Sequence, residues 1–166
     1  SEIATVSSVP FVDPYDVPLP APVDDGYPVV LESERCHTFV ALMIEGFDPA
    51  APTPKFMADR LRTSGVRCIS LPVDVTNYVM LESGQPLHAY DAAKLTGAIR
   101  VRRAADGEQL VTLDGVTRRL VADDLLITDD SGPIGLAGVM GGESTEVSAT
   151  TSAIVLEAAA FDPASV

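Results

Sequence analysis

The spacing of apolar and polar positions changes character along the chain. CHTFVALMIE (Cys36–Glu45) mixes β-branched and aromatic residues among apolar ones and predicts a strand. The stretch after it predicts a helix, with Thr53 as N-cap, Pro54 at the first helical position and Gly65 closing the end. Phe56, Met57 and Leu61 fall on one face of that helix. DVTNYVMLE (74–82) predicts a second helix, with Asp74 as N-cap and Gly84 as the stop. From Ile99 the period shortens: IRVRRA alternates like a half-buried strand, and LVTLDGVTRRLV predicts a hairpin on a two-residue type I′ turn at Asp114-Gly115. DLLITDDSGPIGLAGVM predicts another hairpin, turning at Asp130–Gly132. SAIVLEAAAF is a continuous apolar run of strand character, broken by one carboxylate, Glu157. Two or three short helices between residues 53 and 95, followed by hairpins in the C-terminal half, predict an α+β fold. Its sheets are expected to be mixed and antiparallel, not doubly wound.

The first 30 residues, rich in Pro and Asp, predict extended chain with turns and one edge strand. The 166 residues suit one ordinary domain or two small lobes sharing one core, and 46% apolar residues suffice for a real interior. No apolar run reaches the roughly 18–20 residues of a membrane span, and no basic n-region with an apolar h-region is visible. The chain opens on Ser1 without a Met, as expected of a processed chain or a piece of something longer. Cys36 and Cys68 sit among apolar neighbours and predict buried reduced thiols in a cytoplasmic protein. With His37 and His88 they offer no metal-ligand spacing, so no metal is expected. A net charge of −13 and a pI near 4.3 argue against tight nucleic-acid binding by this chain alone.

GLAGVMGGE (135–143) holds four of the twelve glycines. It is not a P-loop, because no Lys or Arg follows Arg119, and its G-x-x-G-x-x-G-G spacing is not the dinucleotide fingerprint. Two readings stay open: a tight structural corner, or a pocket wall with bare backbone facing a ligand. His88 follows Gly84-Gln85-Pro86 and is expected on a loop, as a satisfied structural group or a working one. Thr76 and Asn77 on the preceding helix could be capping or solvent-facing groups. A carboxylate inside AIVLEAAAF needs a partner or a proton, so Glu157 is either paired structurally or reads a polar group on a ligand. A seryl nucleophile is not indicated, since no G-x-S-x-G elbow occurs.

VDVTNYVMLESGQPLHAYD (73–91) and GLAGVMGGESTEVSATTSAIVLEAAAFDP (135–163) resemble the bacterial phenylalanyl-tRNA synthetase beta subunit family, in its third and fourth domains. The intervening LDGVTRRLVADDLLITDDSGPIGLAG and the upstream APTPKFMADRLRTSGVRCIS also fit, and the resemblance is close over 36–163. Residues 1–35, where the resemblance is loose, are expected to form an extended leader on composition, and over 36–166 the resemblance implies the paired third and fourth domains that form an editing module, truncated at its C-terminus.

In that family the module hydrolyses tyrosine wrongly esterified to tRNA(Phe). The resemblance implies that Thr76, Asn77 and His88 lie near the ester, with His88 as base or as orienter of water. It implies that Glu157, Gly141 and Gly142 meet the tyrosyl hydroxyl and ring, with loop amides donating to the same oxygen. The implied partners are the synthetase alpha subunit and tRNA(Phe), in a heterotetramer of two alpha and two beta chains. ATP and Mg serve the parent enzyme, and no cofactor is implied for this segment. A His-Thr-Asp-Ala-Ser-like segment that completes the family's pocket lies beyond Val166, and an Arg found before V-D-V-T-N in some members is absent, with Arg67 the nearest. Two other functions compete: a scaffold whose editing site is incomplete, and a free-standing amino-acid or nucleotide-end binder of the same fold.

Overall fold

A computed structural model describes residues 2–11, 26–48 and 50–166. In chain order the elements are α1 (Glu2–Ser7), β1 (Val29–Leu31), β2 (Cys36–Glu45), α2 (Lys55–Thr63), α3 (Leu71–Ser83), β3 (Leu87–Asp91), β4 (Ile99–Arg103), β5 (Gln109–Val111), β6 (Thr117–Arg119), β7 (Leu125–Asp129), β8 (Gly132–Leu136), β9 (Met140–Gly141) and β10 (Ala153–Phe161). Short 3-10 turns follow β3, β9 and β10. The fold is α+β, as expected from the sequence. The opening residues depart from an extended leader in that α1 is helical. Most of the Pro- and Asp-rich run lies outside the described residues.

The strands form a five-stranded sheet in the order β1-β4-β7-β8-β9, a three-stranded sheet β2-β10-β3 and the β5-β6 pair. The edge strand β1 runs parallel to β4, and the remaining pairs are antiparallel. β7 is buried at all five positions because both its faces are covered. Leu125 and Ile127 join Tyr90 and Val155 of the three-stranded sheet in the main core, while Leu126 turns to Leu110 and Leu120 under the β5-β6 hairpin. Two sheets therefore share one core. The segment before β2 is tied to it: Tyr27 packs on that core and donates its hydroxyl to Gly97 O at 2.7 Å.

Several local expectations are corrected. Thr53 does not cap α2: its Oγ1 donates to Asp74 Oδ2 at 2.5 Å, and Pro54 occupies the cap position with no side-chain bond. Gly65 does close α2, at φ +80. Phe56 is 58% exposed, and the buried face of α2 is Ala58 and Leu61. α3 begins at Leu71, after Ser70, so Asp74 lies inside its first turn. There its carboxylate, 1% exposed, accepts from Thr53 and from the Ile69 amide at 2.8 Å. Gly84 ends α3 in the left-handed region as expected. The β5-β6 connection is wider than a type I′ turn. The Thr112 amide bonds Val116 O, the Gly115 amide bonds Thr112 O, and only Gly115 has positive φ. That is a type I turn closed by a glycine bulge. Asp129 pairs with Gly132, so the β7-β8 hairpin turns where expected.

Candidate functional site

His88 sits on β3, not on a loop. Gly84 ends the helix, and Gln85 anchors the return by donating from Nε2 to Ala159 O at 3.2 Å, which delivers the chain into pairing with β10. In that antiparallel ladder His88 is the direct partner of Glu157, and Tyr90 of Val155. Directly opposed side chains share a face, so His88, Glu157 and Tyr90 form one polar group on a sheet face whose neighbouring positions, Ala41, Met43 and Val155, are apolar. Tyr90 is fully buried and donates its hydroxyl to Glu157 Oε2. The rings of His88 and Tyr90 meet edge to face, with centroids 4.5 Å apart.

The opposite wall comes from the β8-β9 hairpin. A Cβ built on Gly141 would stand 2.6 Å from His88 Nε2 and 3.3 Å from Leu113 Cδ1, so the missing side chain is what admits the imidazole. Gly141 has no positive φ, and its requirement is steric. Gly142 plays a different part. Its amide donates to Ile134 O at 2.7 Å, and a Cβ there would press on that carbonyl at 2.8 Å. The amide is thus used within the sheet, contrary to the expectation that it donates to a ligand.

Between these walls lies a cavity of about 180 Å³, bounded by Pro86, Leu87, His88, Tyr90, Gly135, Gly138, Met140, Gly141, Glu157 and Phe161 among others. It is smaller than the ~300–1,000 Å³ of sites that take drug-sized ligands, and so admits one side chain, not a whole nucleotide. The predicted set divides here. His88, Gly141 and Glu157 line the cavity; Thr76, Asn77 and Gly142 do not. Thr76 is buried and donates back to Val73 O at 2.8 Å, while Asn77 is half-buried on α3. A wider groove of about 410 Å³ between α2 and α3 involves Arg60 and Tyr78 and none of the predicted residues.

Burial sets the electrostatics. It pushes the Glu157 carboxyl up to about 7, with the Tyr90 hydroxyl pulling the other way. It pushes His88 down to about 4, leaving the imidazole neutral at pH 7. A base of such low proton affinity suits orienting water or accepting a hydrogen bond better than abstracting a proton. Tyr90 is pushed well above 10 by burial and by the Glu157 charge, and so keeps its proton.

Sequence reasoning missed Tyr90. Its signal was the i, i+2 spacing of His88 and Tyr90 in LHAYD, which places both on one face once the segment is a strand. Both cysteines are free; Cys36 is buried and Cys68 half-buried. Among the described residues no three His, Cys, Asp or Glu side chains converge as metal donors, and no helix is long and apolar enough to cross a membrane.

The fold is similar to that of an N-terminal fragment of the phenylalanyl-tRNA synthetase beta-subunit from Pyrococcus horikoshii, with a TM-score of 0.59 over 84% of this chain and 44% of that one. At 15% identity the likeness concerns the fold alone. In sequence the chain is 56% identical over 165 residues to the phenylalanine--tRNA ligase beta subunit of Cutibacterium acnes, covering 99% of this chain and 20% of that protein. It is 56% identical over 164 residues to the Thermobifida fusca beta subunit, covering 98% of this chain and again 20% of the relative. The chain thus spans about a fifth of the length of the curated relatives it matches. The B3/4 domain model matches residues 35–166, and the chain belongs to the B3/4 domain family.

Proposed function

We propose that this chain is the editing module of a phenylalanine–tRNA ligase beta subunit and hydrolyses tyrosine misattached to tRNA(Phe). One observation carries the reading: a buried carboxylate, Glu157, opens into a cavity of one side chain's size, opposite His88 and the bare backbone of Gly141. A tyrosine ring entering there brings its hydroxyl to an acceptor that has lost water. Phenylalanine brings a ring edge and leaves the acceptor unpaired, and sites built around a hydroxyl reject analogues lacking it by large factors.

Ester cleavage needs a placed water and stabilisation of the developing oxyanion. His88, neutral at pH 7, orients that water or accepts from it, and Asn77 acts toward the ester and the terminal nucleoside, with Thr76, buried and bonded to Val73 O, bracing the turn of α3 that carries it. The acidic surface leaves capture of tRNA to the assembled enzyme, with the alpha subunit and the rest of the beta subunit. ATP and Mg serve aminoacylation elsewhere in that assembly, and the setting is the cytoplasm.

The Tyr90–Glu157 bond favours a second reading, a scaffold in which Glu157 serves only to satisfy a buried phenol. Deacylation of Tyr-tRNA(Phe) by the full-length ligase decides between them. Glu157→Ala is expected to slow hydrolysis at least tenfold while aminoacylation with phenylalanine stays unchanged. Hydrolysis at the wild-type rate would leave the scaffold.

A further inference from the structure

Glu157 carries two carboxylate oxygens with different surroundings. Oε2 accepts from Tyr90, whose hydroxyl is sealed from water and donates nowhere else. Oε1 accepts from no described residue, and the carboxylate borders the cavity. The Tyr90 ring is itself held on its edge by His88 and sits in the core with Val155, Ile127 and Ile134, so the donor cannot swing away.

We propose that Tyr90 is a specificity-positioning residue: its hydroxyl binds one oxygen of Glu157 from the core side and thereby presents the other, Oε1, to the cavity as a fixed acceptor for a phenolic hydroxyl. The inference rests on the editing reading above and adds to it the group that aims the acceptor.

Two physical effects follow from this one bond. The first is geometric. A carboxylate anchored at one oxygen has lost its rotational freedom before the ligand arrives, so the ligand's hydroxyl meets an acceptor already in place. The second concerns the state of the carboxyl. Burial favours the neutral acid and a donated hydrogen bond favours the anion, and the Tyr90 hydroxyl is the hydrogen bond that favours the charged form of Glu157. A charged acceptor penalises an unmade bond more than a neutral acid does. Without Tyr90, a phenylalanine ring meets a carboxyl that is free to turn and is protonated more readily, and the penalty for lacking a hydroxyl shrinks. A tyrosine that merely filled the core would support stability but leave the choice between the two substrates untouched.

The test compares hydrolysis of Tyr-tRNA(Phe) and Phe-tRNA(Phe) by the ligase assembled from full-length subunits. Tyr90→Phe keeps the ring and removes only the hydroxyl. The ratio of the two kcat/KM values is expected to fall roughly tenfold, mostly through a higher KM for the tyrosyl substrate. Glu157→Ala separates the two levels of the argument. If Glu157→Ala abolishes the preference and Tyr90→Phe keeps it within twofold, the positioning role is overturned and the editing reading stands. If neither variant changes hydrolysis, both fall. Should Tyr90→Phe not fold, 3-fluorotyrosine at position 90 replaces it, with nearly the same shape and a stronger donor. A threefold change in the ratio supports the proposal, and an unchanged ratio overturns it.

Discussion

Glu157 and His88 stand opposite each other across the β10-β3 ladder, and burial drives their proton affinities past one another. The carboxyl rises to about 7 and the imidazole falls to about 4, the reverse of their usual order. Raising the Glu157 value means that the folded chain holds a proton that the unfolded chain releases. Its contribution is present below about 4.5 and is lost as pH climbs to about 7. Lowering the His88 value does the opposite: its contribution is present above about 6.5 and is lost as pH falls to about 4. The slopes oppose one another between these limits, each at most about 1.4 kcal/mol per pH unit. The wild-type stability profile is expected to be flatter there than in either single variant. Glu157→Gln should leave stability that rises with pH, and His88→Phe stability that falls. Urea midpoints at half-unit steps from pH 4.5 to 7 measure this, and variants that keep the wild-type profile would refute it.

Gly141→Ala tests the wall. A methyl group there overlaps the His88 ring, and overpacking of this kind costs about 1–3 kcal/mol. The imidazole resonances of His88 should shift, and hydrolysis of Tyr-tRNA(Phe) should drop at least tenfold. An unshifted His88 would mean that the hairpin yields instead of the ring.

Asn77 lies off the cavity lining, so under the editing proposal recognition of the ring and hydrolysis of the ester are separable. Asn77→Ala should lower kcat for the ester at least tenfold and leave the preference for tyrosine over phenylalanine within twofold. A lost preference would place Asn77 beside the ring.

Asp74 is structural. Its buried carboxylate joins the segment before α2 to the start of α3 through Thr53 and the Ile69 amide. Asp74→Ala leaves both donors unpaired and should cost about 2–3 kcal/mol in urea unfolding. The matching Thr53→Val change should cost less, since the amide bond survives.

The long strands and both hairpins were legible because period-2 alternation and turn residues are local signals. β2 runs over the predicted residues, and the β7-β8 turn is where Asp130–Gly132 pointed. What failed was local chemistry overruled by distant partners. Thr53 and Asp74 each looked like an N-cap and instead bond each other, a pairing that exists only once α2 packs on α3. Gly84-Gln85-Pro86 punctuates the chain so strongly that LHAYD resembled loop, although β10 was waiting to pair with it. Glu157 could be flagged as a carboxylate in need of a partner, but Tyr90 could not be named as that partner. Nor could the contact of Gly141 with His88 be seen, because it bridges two separate sheets.

Glu157 also rides on the middle strand of its sheet, with β2 on one side and β3 on the other. Backbone held on both flanks exchanges its amide hydrogens only in large openings, so this part of the pocket has no hinge of its own. If the chain edits as proposed, discrimination at Glu157 is a matter of how long a visiting ring dwells against a preformed wall. Under the editing proposal, the clock for proofreading would be set by ligand arrival and departure, and a crowded pool of correctly charged tRNA would compete for the cavity only as briefly as each phenylalanine stayed.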